Sequence, residues 1–552
     1  MPSSTAPPMT DIGPSDMTGD QLARSTTRVF AETQYGGVTG GCVDNGCQVF
    51  LNVPYGRDVA RWEDPQPLPR DYKYPADKEY VVDGLYCAQP NRAYTLQIPV
   101  RDRLGLGQPT ENPFFADIYV PSDVRLDDSL SLERDLRPVR VFLHGGFLQF
   151  GSTSGQHYNQ QFFAAEHYGE VRVLLGHRLS VLGFLGSEAP FVSGNFGFKD
   201  CWLGLQWIRD NIASFGGDPA QIHLSGLSGG AHLAHQLMHR VAYGAKFGER
   251  SPFASVMLQS NAILSDPLTR SDRADQFAAF ARELGADPSS PTVLADLRDT
   301  AKYPTSALVR AVERMGTLGT FRGVVGEDGD GWVRANQMAY QRSGGLGRDL
   351  AAAGVKCVIV GDVRDEDHFY TAVHDVTAPD TLLPNVARYY PLPLARALLE
   401  SYPPLHAGAT PAECQARLGR VLADGQVHLP VRLLAADLAP YLPVVRYTIE
   451  MAPKALGYDG RVPHGADLPV QHLRLSVLSP DETKTALEWH TALEAAVAPA
   501  LVGDGSFVQR GQEEVLALQK NGSTAWSADW RWPSLRAAEK ALRGVVHEES
   551  KV

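Results

Sequence analysis

The pentapeptide Gly226-Leu227-Ser228-Gly229-Gly230 has the form G-x-S-x-G. It follows the strand-like run IHLSG and opens into AHLAHQLMHR, whose apolar residues recur at helical spacing. A serine at such a strand–turn–helix junction is held out of a sheet on a strained turn, where its hydroxyl can meet both a histidine and a substrate. The chemistry this predicts is nucleophilic attack on an acyl carbon. By itself the motif is weak: in a chain with 52 glycines it also arises as an ordinary turn carrying a solvated serine. Upstream, His144-Gly145-Gly146 follows the β-branched run VRVFL. A loop of that kind supplies backbone N–H donors to an oxyanion, a charge that exists only in the transition state. The alternative for this Gly pair is a plain turn.

These motifs need a scaffold that brings them together. ADIYV, VRVFL, VRVLL, IHLSG, KCVIVG and VVRYTIEM are short β-rich runs, whereas CWLGLQWIRDNIASF and AHLAHQLMHRVA have helical spacing. Alternation of this kind predicts an α/β architecture, a mostly parallel sheet with helices on its faces. Residues 26–54 alternate apolar and polar positions with glycine punctuation, which predicts short strands joined by tight turns. A loop-rich stretch succeeds them, to about residue 113. Helices are expected in ADQFAAFARELGA and TSALVRAVERMG, again over roughly 385–442, and at the end of the chain. Neither an internal repeat nor a clear linker is visible. The expectation is a disordered polar tail at 1–25, then one large domain over 26–552 with helical insertions.

Composition narrows the function classes. The net charge of -12 argues against a nucleic-acid partner, which needs a basic face. No run of 18 apolar residues occurs, so no membrane-spanning helix is expected. The opening MPSSTAPPMTDIGPSDM has neither a basic start nor an apolar stretch of the secretory type. Six cysteines, at 42, 47, 87, 201, 357 and 414, are too few for a disulfide scaffold. Cys42 and Cys47 form a C-x4-C without a second Cys or His pair to complete a zinc site. Free thiols in a reducing compartment are the simpler reading. The one N-x-S/T sequon, at Asn521, is no more than chance gives.

Longer matches extend the case. His144-Gly145-Gly146 through Gly151-Ser152 resembles the HGGGF-x-x-GS loop of the type B carboxylesterases, the family that includes the cholinesterases. HRLSVLGFLGS resembles that family's YRL-x-x-x-GFL segment, and GNFGFKDCWLGLQWIRDNIASFGGDPAQIHLSGLSGG resembles the signature running into its GESAG elbow. Asn195, Gly197, Asp200, Trp207, Asn211, Phe215, Gly216, Gly217, Asp218 and Pro219 stand where that signature has them. The resemblance covers most of the chain from about Thr26. It implies an α/β-hydrolase fold and a serine hydrolase of small or medium organic esters.

The resemblance also places an acid and a base. Glu366, in KCVIVGDVRDEDHF, takes the position of the family's glutamate, with Asp365 and Asp367 as neighbouring rivals. His464, in VPHGADLPV, takes that of its histidine, with His368, His374 and His472 as rivals. The order Ser, acid, His is that of α/β-hydrolases. Glu366 would then orient His464, His464 would take the Ser228 proton, and the N–H groups of Gly146, Phe147 and Gly229 would hold the oxyanion. The implied intermediate is an acyl-enzyme cleared by water, with no cofactor and no metal. The same triad serves a lactonase, thioesterase or amidase, and some relatives keep the fold as non-catalytic binding proteins.

Three departures from the family pattern matter. Phe147 replaces the third glycine of the oxyanion loop, and phenylalanine resists a positive φ. The elbow reads GLSGG, so Leu227 stands where the family often has a carboxylate. The family's first disulfide would join Cys87 to the position that Pro113 occupies, so it cannot form, which with the opening segment suggests an intracellular protein. No Trp lies in residues 87–113, which leaves choline esters poorly supported because a quaternary ammonium needs such an aromatic face.

Overall fold

The computed structural model describes residues 17–82, 84–90, 107–126, 135–155, 160–326 and 331–549. The first part of the expected N-terminal tail, the middle of the 87–113 loop and the last three residues lie outside these.

Twelve strands form one sheet. In chain order they are β1 (Arg28–Thr33), β2 (Gly36–Cys42), β3 (Gln48–Pro54), β4 (Phe115–Val120), β5 (Arg137–Leu143) and β6 (Val171–Leu175). They continue with β7 (Gly217–Leu227), β8 (Ser255–Gln259), β9 (Cys357–Val363), β10 (Val444–Ile449), β11 (Glu514–Leu518) and β12 (Thr524–Ala528). The spatial order is β1-β2-β3-β4-β6-β5-β7-β8-β9-β10-β11-β12. From β6 to β11 every neighbouring pair is parallel, while the β1–β4 end, β4 against β6 and β11 against β12 are antiparallel. The expected parallel sheet is thus its centre. There β6, β8, β9 and β10 are buried along their whole lengths, as strands covered on both faces must be.

Helix α1 (Phe196–Asn211) packs on β7, α2 (Gly229–Ala245) continues directly from the end of β7, and α3 (Glu366–Tyr370) stands just beyond β9. The long signature before the elbow proves to be packing and charge pairing. Asp200 of α1, fully buried, takes two hydrogen bonds from the Arg178 guanidinium and one from its backbone N–H. Asn195 exchanges two hydrogen bonds with the backbone of Val324. All six cysteines are free thiols, Cys87 among them.

Two expectations change. Residues Thr18–Arg24 form a helix rather than tail, because Leu22 packs beside Val43, Cys47 and Val49, and Gln21 accepts a hydrogen bond from the Asp44 N–H. The C-terminal region is also not helical throughout: β11 and β12 extend the sheet before a last helix, Trp532–Glu549. EVLAL and TAWSA are each five residues long, too short for a period to separate strand from helix, and their state is set by pairing, EVLAL on β10 and TAWSA on β11. Among the described residues no helix is long and apolar enough to cross a membrane.

Candidate active site

The sequence motifs converge at the C-terminal ends of the parallel strands, where open α/β sheets carry their sites. Ser228 sits between β7 and α2 with φ 57° and ψ −119°, a conformation that L-residues rarely adopt. Its N–H extends the sheet ladder to the Gln259 carbonyl, and its carbonyl accepts the first helical hydrogen bond, from His232 at 3.0 Å. The flanking glycines are required by close approach. A Cβ on Gly226 would lie 2.4 Å from the Gly230 carbonyl oxygen, and one on Gly230 would lie 2.0 Å from that of Leu143. Helix, elbow and neighbouring strand are therefore pressed together backbone to backbone.

The loop after β5 lies against the elbow. A Cβ on Gly229 would stand 2.9 Å from the backbone nitrogens of both Phe147 and Leu148. The N–H groups of Gly146, Phe147 and Gly229 have no acceptor among the described residues, and the Phe147 nitrogen stands against Gly229, the residue after Ser228. The expected resistance of Phe147 to positive φ is overcome: φ is 55° there and 67° at Leu148. Packing supplies the compensation. The Phe147 ring, 8% exposed, stacks on Phe369, meets Tyr370 edge-on and lies tilted against Tyr389, at centroid distances of 6.0–6.1 Å.

Glu366 opens α3 directly beyond β9 and is fully buried. One carboxylate oxygen accepts from the Val363 N–H at 3.1 Å, and the other accepts from His464 Nδ1 at 2.6 Å. With Nδ1 donating, Nε2 of His464 carries the lone pair. That atom is buried and makes no hydrogen bond, to Ser228 Oγ or to any other group. The His464 ring stacks on Phe369 and lies tilted against Tyr370, and the next residue, Gly465, abuts Leu227 of the elbow. Four of the five rival residues, Asp367 apart, are engaged elsewhere. Asp365 accepts from Arg364 and the Val462 N–H, His368 from Arg461, while His374 bonds Tyr389 and His472 bonds Gln161.

Sequence reasoning did not find the aromatic enclosure of Phe369, Tyr370 and Tyr389, nor Asp467. Tyr389 lies far along the chain and nothing in its local sequence marks it. Asp467 is buried with one oxygen unpaired, and its carboxyl is pushed up to about 6 by burial and then by the charge of Glu366. Leu227, where a carboxylate might stand, is buried in an apolar cluster with Phe142 and Leu468. Among the described residues no three His, Cys, Asp or Glu side chains converge as metal ligands.

The model of the carboxylesterase family matches residues 27–484. The chain belongs to the carboxylesterase family. It is 29% identical to an uncharacterized esterase/lipase of Schizosaccharomyces pombe over 452 residues, covering 76% of this chain and 79% of that one. To the para-nitrobenzyl esterase of Bacillus subtilis it is 26% identical over 461 residues, 80% of this chain and 82% of the relative. Among solved structures, a PNB esterase superposes with a TM-score of 0.70 at 22% identity, over 93% of this chain and the whole of the other. A thermophilic PNB esterase gives 0.71. The fold is the α/β-hydrolase fold, and this carboxylesterase family member is a carboxylesterase-type hydrolase.

Proposed function

We propose that this carboxylesterase cleaves small or medium organic esters through Ser228, His464 and Glu366, by way of an acyl-enzyme. The observation that carries the reading is the 2.6 Å hydrogen bond from His464 Nδ1 to buried Glu366, which leaves the lone pair of Nε2 free beside the elbow. A base in that tautomer accepts the Ser228 proton as the hydroxyl attacks the ester carbonyl. The imidazolium that forms is stabilised by Glu366 and returns the proton to the leaving alcohol. The resulting acyl-enzyme is then opened by water, activated by the same histidine. The short approach of Oγ to Nε2 forms when substrate fills the pocket, since such bonds commonly tighten only in the Michaelis complex.

Gly146, Phe147 and Gly229 would present their N–H groups to the developing oxyanion, each contributing on the order of 3 kcal/mol. The aromatic wall of Phe147, Phe369 and Tyr370 excludes water from the histidine and narrows the space for one side of the ester. The test is covalent labelling with a fluorophosphonate, read by peptide mass spectrometry, beside turnover of p-nitrophenyl acetate. Labelling at Ser228, with both labelling and turnover abolished in Ser228→Ala, is the expected outcome. Full turnover by Ser228→Ala would refute it.

A further inference from the structure

One helical turn beyond Ser228, a cavity opens that contains two arginines and no carboxylate paired with either. His232 of α2 forms its inner wall, and the Arg322 guanidinium donates to His232 Nδ1 at 3.3 Å. Arg322 also stacks over Tyr389, 5.3 Å from the ring centroid, and Tyr389 in turn packs on Phe147 of the oxyanion loop. Arg273 lines the opposite side. The cavity therefore adjoins the candidate catalytic centre through two wall residues, His232, whose N–H bonds the Ser228 carbonyl, and Tyr389, which packs on Phe147.

Neither charge is held in an ion pair. Several enclosed arginines of this molecule hold carboxylates, Arg178 with Asp200, Arg61 with Glu111 and Arg432 with Asp529, although Arg474, buried elsewhere, forms no ion pair among the described residues either. Among the described residues neither Arg273 nor Arg322 forms an ion pair, and Arg273 Nε is buried without any partner. The one carboxylate on the lining, Asp266, accepts from the backbone N–H of Met338. Burial and then the charge of Arg322 push Arg273 down to about 10, against the opposing charge of Asp272. Two like charges in a half-enclosed space are unfavourable unless an anion joins them.

The neutral groups around them are incompletely satisfied. Asn261 Oδ1, Gln426 Nε2 and the Tyr390 hydroxyl are buried in the same wall, where Asn261 donates its amide to Gln426 Oε1 at 3.4 Å and the Tyr390 hydroxyl stands beside the Gln426 side chain. Buried polar atoms are ordinarily paired, so a group of them facing one space points to a polar ligand. The cavity volume is about 40 Å³, against roughly 10–15 Å³ for a single water, which suits a carboxylate and excludes a long acyl chain.

We infer that this cavity binds a free carboxylate on the substrate, so that the preferred esters are half-esters of dicarboxylic acids or esters of hydroxy acids. The inference rests on the reading of Ser228 as nucleophile. Arg322 and Arg273 form charge-assisted hydrogen bonds to the carboxylate, and the Tyr390 hydroxyl and Gln426 amide donate to its remaining lone pairs. The ester carbonyl is thereby fixed at the elbow by a handle that does not react.

The test compares kcat/KM within two pairs of esters. On the acyl side, monoethyl adipate is set against the uncharged amide ethyl 6-amino-6-oxohexanoate. On the alcohol side, 6-acetoxyhexanoate is set against 6-acetoxyhexanamide. The anionic member of at least one pair should be favoured tenfold or more. Arg322→Gln and Arg273→Gln should each lower that ratio by on the order of tenfold, and Arg322→Lys should keep more of it than Arg322→Gln. Equal turnover within both pairs, or a preference that survives both glutamine variants, overturns the proposal. Calorimetric binding of the favoured half-ester to Ser228→Ala separates the two readings. Binding that depends on Arg322, with no Ser228-dependent turnover, removes the nucleophile assignment and leaves the carboxylate site standing. Charge-blind turnover through Ser228 does the reverse.

Discussion

Replacing Gly229 by alanine tests the contact between the elbow and the loop after β5. The new Cβ would lie 2.9 Å from the nitrogens of Phe147 and Leu148, whereas ordinary contact begins near 3.4 Å, so the loop must withdraw by 3.4 − 2.9 = 0.5 Å. Those atoms are backbone and cannot rotate away as a side-chain tip can. An oxyanion donor works at 2.7–3.1 Å from the developing charge, and removal of one costs about 10²–10³ in kcat. A half-ångström displacement of the Phe147 N–H should therefore lower kcat for p-nitrophenyl acetate about a hundredfold while KM changes little, because the oxyanion exists only in the transition state. Overpacking of this size costs about 1–3 kcal/mol of stability, so thermal denaturation should still show a cooperative fold. Adding Phe147→Gly frees the loop to retreat without strain and should recover part of kcat. A folded Gly229→Ala enzyme with kcat within about threefold of wild type would refute the oxyanion-hole assignment at this contact.

Glu366→Gln keeps the size of the side chain but no longer fixes the His464 tautomer. Its kcat should fall by about 10³–10⁴, and fluorophosphonate labelling should slow in parallel. The left-handed backbone at Phe147 predicts an unusual order in chemical denaturation: Phe147→Gly should be more stable than Phe147→Ala by about 1 kcal/mol, since both lose the ring but only alanine keeps the steric penalty. Asp467, raised from its ordinary 3.8 to about 6, binds a proton in the folded state that the unfolded chain has already released between those values. Its contribution to stability is thus present below about pH 4 and is lost as pH rises through about 6, by roughly 3 kcal/mol at about 1.4 kcal/mol per pH unit. Urea titrations should show Asp467→Asn gaining on wild type by that order between pH 4 and pH 7, and a constant gap would contradict the buried, unpaired carboxyl.

Much of this protein was legible from local sequence. The strand–turn–helix around Ser228 is encoded within some twenty residues, because the glycines at 226, 229 and 230 are demanded by backbone approach and the flanking runs carry their own periodicity. The central strands were equally visible, since strands covered on both faces must be continuously apolar. Family resemblance added Glu366 and His464, and the structure brings that pair, rather than their neighbours, into contact. Tertiary structure decided the rest. Five-residue strands at the end of the sheet have no period of their own and take their state from the strand they pair with. Leu22 orders a helix in the N-terminal segment only because a cleft beside Val49 receives it. Phe147 shows the division clearly: its type was plain in the sequence, and its steric preference spoke against the conformation it adopts. The rings of Phe369, Tyr370 and Tyr389, 222 to 242 residues later in the chain, hold it there. Arg273 and Arg322, which form no ion pair among the described residues, obey the same rule. A charge is readable from the sequence, but whether a carboxylate meets it is a property of everything packed around it.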